Sequence, residues 1–175
     1  MVTKTRESFG GTANRSDDLI RAAKVIDLNK MRIALMDGAD VNARDGRDWT
    51  ALMTVISYLD ADAAKMLLDR GADVNAKDNQ GRTALMVSAA EGDSLGIARM
   101  LIDKKADVNA KDEQGMTALL FAAFWGRPGV AKLLLEKGAD VNAKDNKGLT
   151  AIDHAINAKI EWMADLLREH VRQVR

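Results

Sequence analysis

The sequence predicts an all-α solenoid of about five stacked helix-turn-helix units. Three observations carry that prediction. The phrase Gly71-Ala72-Asp73-Val74-Asn75-Ala76-Lys77-Asp78 recurs nearly letter for letter at 38–45, 105–112 and 138–145, so its four copies start 33, 34 and 33 residues apart. A second phrase keeps the same beat: Thr50-Ala51-Leu52, Thr83-Ala84-Leu85, Thr117-Ala118-Leu119 and Thr150-Ala151-Ile152. Self-similarity at this period marks a stacked array, in which each unit buries its apolar face only against its neighbours. The composition agrees: 47% apolar but only 4% aromatic, a mix that suits small helices packed side by side.

Taken in order, residues 1–15 are polar, contain Gly10-Gly11 and read as a flexible leader. The repeat domain then spans 16–175. Its first unit, 16–42, lacks a preceding copy of the phrase and reads as an N-terminal cap. Ser16 or Asp17 supplies an N-cap oxygen, and apolar residues at helical spacing predict helices over 17–24 and 30–37. Full repeats follow at 43–75, 76–109 and 110–142, with helices over 50–58 and 63–69, then 83–91 and 95–103, then 117–125 and 128–137. Pro128 stands in the first turn of a helix, where proline is tolerated. The second repeat carries the one-residue excess, placed in the turn 92–96 because a helix interior would lose register. The last unit, 143–173, has helices over 150–158 and 160–171, the second ending in charge.

The phrase has a physical logic. Its leading Gly supplies a left-handed C-cap. Asp and Asn bond their own backbone and hold tight turns. The Val pins the turn to the helices, and the Thr can accept the first helical N–H. Lys105 replaces Gly in one copy and is expected to be left-handed at a cost of roughly 1 kcal/mol.

The composition also excludes. With 26 basic and 26 acidic residues the formal charge is zero, which argues against a dedicated nucleic-acid binder. There is no cysteine, hence no disulfide or thiolate metal site. No apolar run approaches the roughly 20 residues that span a bilayer. The first residues show no signal-peptide pattern, and the expected setting is soluble and cytoplasmic.

The phrase, continued by Asn79-Gln80-Gly81-Arg82-Thr83-Ala84-Leu85, resembles the ankyrin repeat over about 17–171. The resemblance implies units of a β-hairpin and two antiparallel helices, stacked into an L-shaped array. Hairpin tips and first helices would form a concave binding face. There are departures. The usual Thr-Pro-Leu-His reads Thr-Ala-Leu-Met at 50–53 and 83–86, Thr-Ala-Leu-Leu at 117–120 and Thr-Ala-Ile-Asp at 150–153, so the family's Thr–His bonds are missing. The turn glycine survives as Gly92 and Gly126 but is Ile26, Leu59 and Lys159 elsewhere. In 44–49 the glycine, Gly46, comes two places early, so a non-standard first tip is expected. The phrase is also similar to designed ankyrin consensus sequences. The irregular first unit and the variation between copies read as a natural, bacterial-type chain.

Little points to catalysis. His154 and His170 are the only histidines, and both read as structural. The Asp73-Val74-Asn75 spacing is turn chemistry rather than a calcium loop. No cofactor or metal is expected. The resemblance implies that partner contacts lie where copies differ, at the hairpin tips and the ends of first helices. The candidates are Arg47, Trp49, Tyr58, Arg82, Glu91, Met116, Phe124 and Trp125, with Trp49 and Trp125 foremost. Exposed Trp, Tyr and Arg dominate interface hot spots. The alternative is that these rings pack between units, which applies most to Tyr58 and Phe124. Trp162, near the start of the last helix, is expected to cover the end of the stack or lie half exposed, with no partner role. The expected function is a non-enzymatic, monomeric module that binds a folded protein partner. The alternatives are an oligomerising scaffold element or a small-molecule or enzyme-associated domain.

Overall fold

A computed structural model describes residues 12–92 and 94–173. Among them ten helices form five antiparallel pairs: α1 (Thr12–Lys24) with α2 (Leu28–Met36), α3 (Ala51–Ser57) with α4 (Ala61–Asp69), α5 (Ala84–Ala90) with α6 (Leu95–Asp103), α7 (Ala118–Phe124) with α8 (Pro128–Glu136), and α9 (Ala151–Asn157) with α10 (Glu161–Gln173). The first helices pack in one row, α1–α3–α5–α7–α9, and α4, α6 and α8 form a second row beside it. This is the all-α solenoid the period predicts. No described helix is long and apolar enough to cross a membrane. Helix α1 starts at Thr12, ahead of the expected Asp17, so 12–15 belong to it rather than to a leader. The expected leader otherwise lies outside the described residues.

Local chemistry sets the ends. Thr50, Thr83, Thr117 and Thr150 are N-caps in extended backbone, each accepting the N–H three residues on. At the far end of each second helix a left-handed residue reverses the chain: Gly38, Gly71, Gly138 and, with φ 71°, Lys105. The turns within pairs behave differently from their residue types. Ile26, Leu59 and Lys159 take the same left-handed shape as Gly126, whereas Gly92 does not. Three residues separate the helices in those pairs but four separate α5 from α6. Turn length, not glycine, decides the shape, and the insertion lies in the turn as expected.

The first hairpin is standard after all. Asp48, at φ 58°, occupies the left-handed position held by Gly81, Gly115 and Gly148 in the other tips. Asp45 N–H donates to Trp49 O at 2.9 Å, as Asp78 N–H donates to Arg82 O at 3.0 Å. Asp tolerates this conformation, so the early Gly46 changes nothing. The hairpins are turns rather than sheet: among the described residues the one β-bridge is Arg44 to Thr50.

The recurring phrase joins the units. Asn42, Asn75 and Asn109 Oδ1 accept the backbone N–H of Asp73, Asp107 and Asp140 in the following unit, at 2.7–2.8 Å. Asn75 and Asn109 Nδ2 also donate to Lys105 O and Gly138 O across the same boundaries. Lys77 and Lys111 Nζ donate to Lys111 O and Lys144 O, and Arg44 reaches Lys77 O in the same way. In the first unit, which has no such Asn before it, Ser16 Oγ accepts the Asp40 N–H instead. Beneath the hairpins, Leu52, Leu67, Leu85, Leu101, Leu119 and Leu134 form one core with the alanines that let helices approach. The first unit ends this core. Asp18 and Arg21 are exposed and paired at 3.3 Å, at positions where later units bury Ala51, Ala84 and Ala118, and Thr54 and Val87.

Lys105→Gly is expected to stabilise the chain by about 0.5–1 kcal/mol, because it removes a strained left-handed Cβ. Gly115→Ala is expected to destabilise it by about 2 kcal/mol or more: φ is +76° and the new Cβ would stand 2.6 Å from Asn146 Oδ1. Urea midpoints moving in opposite directions would confirm both.

Candidate functional site

Four aspartates build the tips. Asp45, Asp78, Asp112 and Asp145 each use Oδ1 to accept two backbone N–H groups, two and four residues on, at 2.8–3.1 Å. The second oxygen then varies. Asp45 Oδ2 pairs with Lys24 at 3.2 Å. Asp145 Oδ2 meets His154 Nε2 at 3.0 Å, and the imidazole lies edge-on to Phe124 in the preceding unit. His154 is thus a buried structural histidine.

At Asp78 the arrangement takes up two of the candidates, Trp49 and Arg82. Its Oδ2 accepts from Arg82 Nε at 2.8 Å and from the Trp49 indole N–H, one unit back, at 3.0 Å. The Arg47 and Arg82 guanidiniums stand 5.2 and 5.4 Å from the Trp49 ring centroid. Trp49 is therefore half-buried and packed against the core, not a free anchor. Met116 is likewise half-buried on the core. Arg47 remains exposed. At this end of the array the hairpin edge is a joint between units.

The ends of the first helices are different. Nine large apolar side chains are exposed among the described residues. Ile33 and Met36 lie on α2. Ile156 is exposed where Ile56, Ala89 and Ala123 are fully buried by a following unit, so it reflects the open end of the stack. The other six, Val25, Tyr58, Leu59, Phe124, Trp125 and Trp162, all lie at the last residue of a first helix, in the turn after it, or in the first turn of the second helix. Tyr58 is 59% exposed, Trp125 50% and Phe124 40%. Tyr58 and Phe124, the rings most expected to pack between units, are both exposed, although Phe124 also meets His154 of the next unit edge to face. Phe124 and Trp125 meet edge to face at 5.2 Å. Trp162 also belongs here: a Cβ on Gly126 would come within 3.5 Å of its ring. Sequence reasoning missed it because its neighbour lies in the preceding unit.

Between these groups the middle unit is polar. Glu91 caps α5 in extended backbone, half-buried and without an ion pair to any described residue. Arg127, from the next unit, donates through Nε and Nη2 to Ala90 O at 3.2 and 3.1 Å. This clamp holds the end of α5 where the lengthened turn departs from the others. An open recess of about 460 Å³ lies elsewhere, on the hairpin side. It is lined by Asn75, Lys77, Asn109 and Lys111, whose polar groups already bridge neighbouring units.

A stack of short helix pairs with a variable edge and an invariant hairpin ladder is a repeat scaffold. The family model for ankyrin repeats matches in three copies, at residues 19–112, 97–145 and 110–174. The chain belongs to the ankyrin repeat family, whose members generally serve as protein–protein interaction modules. No curated protein matches it significantly.

Two measurements check this division of labour. Trp49→Ala is expected to lower stability by about 2–3 kcal/mol, since it removes half-buried ring area and a bond to a buried carboxylate. Tyr58→Ala and Trp125→Ala should stay within about 0.5–1 kcal/mol of wild type. The pH dependence follows from the tips. Burial raises the Asp78 and Asp145 carboxyls, but their donors outweigh it: the Arg82 N–H and guanidinium for Asp78, the Leu149 and Lys147 N–H groups and His154 for Asp145. Both are held below the ordinary value of 3.8. A depressed folded-state pKa stabilises above the unfolded value and is lost as pH falls through the folded one. Stability should be flat in these groups at neutral pH and fall below about pH 4, and Asp78→Asn should flatten that fall.

Proposed function

We propose that this chain is a monomeric, non-enzymatic protein–protein interaction module that holds a folded partner along the row of exposed rings at the ends of its first helices. One observation carries the reading: six of the nine exposed large apolar side chains share this edge. Grouped apolar surface on a soluble protein marks a contact site. Tyr58, Phe124 and Trp125 supply the residue types that dominate such contacts. Arg47, Arg82, Trp49 and Met116 contribute by fixing the hairpins at the opposite ends of these helices, where Arg47 keeps an exposed charge. The rigid stack lets the edge meet its partner with little reordering, so affinity would come from preorganised shape.

The test is affinity capture from a native lysate with wild type and with Tyr58→Ala/Trp125→Ala. Loss of specific bands with the double variant is expected. The same proteins captured by both would sink the site, and a dimer in light scattering at tens of micromolar would sink the monomer.

A further inference from the structure

The edge also constrains what it can hold. Tyr58 and Trp125 cap α3 and α7 with matching backbone angles, φ −96° and ψ 3° against φ −92° and ψ 1°, so their side chains leave the stack in equivalent directions. Between these helices lies only α5. With helix axes 8–10 Å apart, two steps place the rings roughly 16–20 Å apart. The position between them is Glu91, a carboxylate in a row that otherwise reads Val25, Tyr58, Trp125 and Ala158.

The backbone along this edge offers few donors. The N–H groups of Tyr58, Leu59, Trp125, Gly126 and Arg127 all donate to carbonyls of their own helices, and Glu91 N–H does the same. An extended peptide laid here would find none of these six backbone N–H groups free for its carbonyls, and a ladder of such bonds is how strand-like recognition gains affinity. A helix satisfies its own backbone and recognises through side chains alone. At 1.5 Å per residue, positions about eleven apart span roughly 16 Å and return to the same helix face.

We infer that the edge takes an amphipathic α-helix of the partner, with two large apolar residues about eleven positions apart and a Lys or Arg between them facing Glu91. The inference rests on the protein-binding role proposed above and names the partner's local structure. Tyr58 and Leu59 receive one apolar residue. Phe124, Trp125 and Trp162 receive the other.

A displayed library of random 20-residue peptides, selected on wild type with counter-selection on Tyr58→Ala/Trp125→Ala, tests it. The enriched peptides should carry the apolar pair at that spacing with a basic residue between. They should gain helicity on binding, by circular dichroism, and lose at least tenfold in affinity for Tyr58→Ala and for Trp125→Ala. Glu91→Lys should weaken binding several-fold, and replacing the peptide's basic residue by Glu should restore it. Enriched peptides that stay extended but remain sensitive to both substitutions would overturn the helix while leaving the site. Peptides indifferent to both substitutions, or no enrichment, would overturn both. A concentration-dependent dimer that Trp125→Ala abolishes would replace the helix by a second copy of this chain.

Discussion

The amides of Asp73, Asp107 and Asp140 are each closed by an asparagine side chain of the unit before. That bond makes one unit's backbone depend on its neighbour's sequence. These bonds are solvent-exposed, so each contributes only about 0.5–1.5 kcal/mol net, and a copy with the wrong residue at the Asn position forfeits that at its boundary. The dependence runs the length of the chain and ends where Ser16 stands in for the missing copy. The turns, the helix caps and the leucine core repeat at the same period as this contact.

The same constraint explains the division between hairpin and helix end. Hairpin residues that bridge units are tied by several bonds each, so substitution there disturbs two units at once. Trp49 shows the extreme case, since Asp78, Arg82 and the core all hold it. The turn at the other edge makes no such side-chain ladder. Its residue types can change from Tyr58 to Trp125 to Ala158 while the backbone keeps its course; only at Glu91, in the lengthened turn, does the backbone change with the residue. Freedom to vary and freedom to contact a partner coincide there for a structural reason.

Most of the fold was legible because it is local and periodic. Threonine caps, glycine C-caps and the insertion in the second unit's turn follow from spacing alone, and the left-handed Lys105 follows from its place in the phrase. What was not legible depends on residues about 30 positions away. No local feature of Asp45-Gly46-Arg47-Asp48-Trp49 says that an indole N–H will find Asp78, so Trp49 read as a free anchor. Glycine at 92 and its absence at 59 suggested opposite turn shapes from those the stack imposes. Trp162 read as end-cover or half exposed, and it is half exposed; its place beside Gly126 of the preceding unit was not legible. The candidate site was half visible: the helix-end positions were on the page, but not which of them the stack would leave bare.

The charges of Asp18 and Arg21 have a consequence for assembly. Later units bury alanine at the first of these positions, and Thr54 and Val87 at the second. A second molecule arriving at this face would have to dehydrate two ions whose mutual attraction at the surface is worth less than about 1 kcal/mol. The pair makes this face a poor template for end-to-end growth, in the polymer chemist's sense a chain stopper written in two charges.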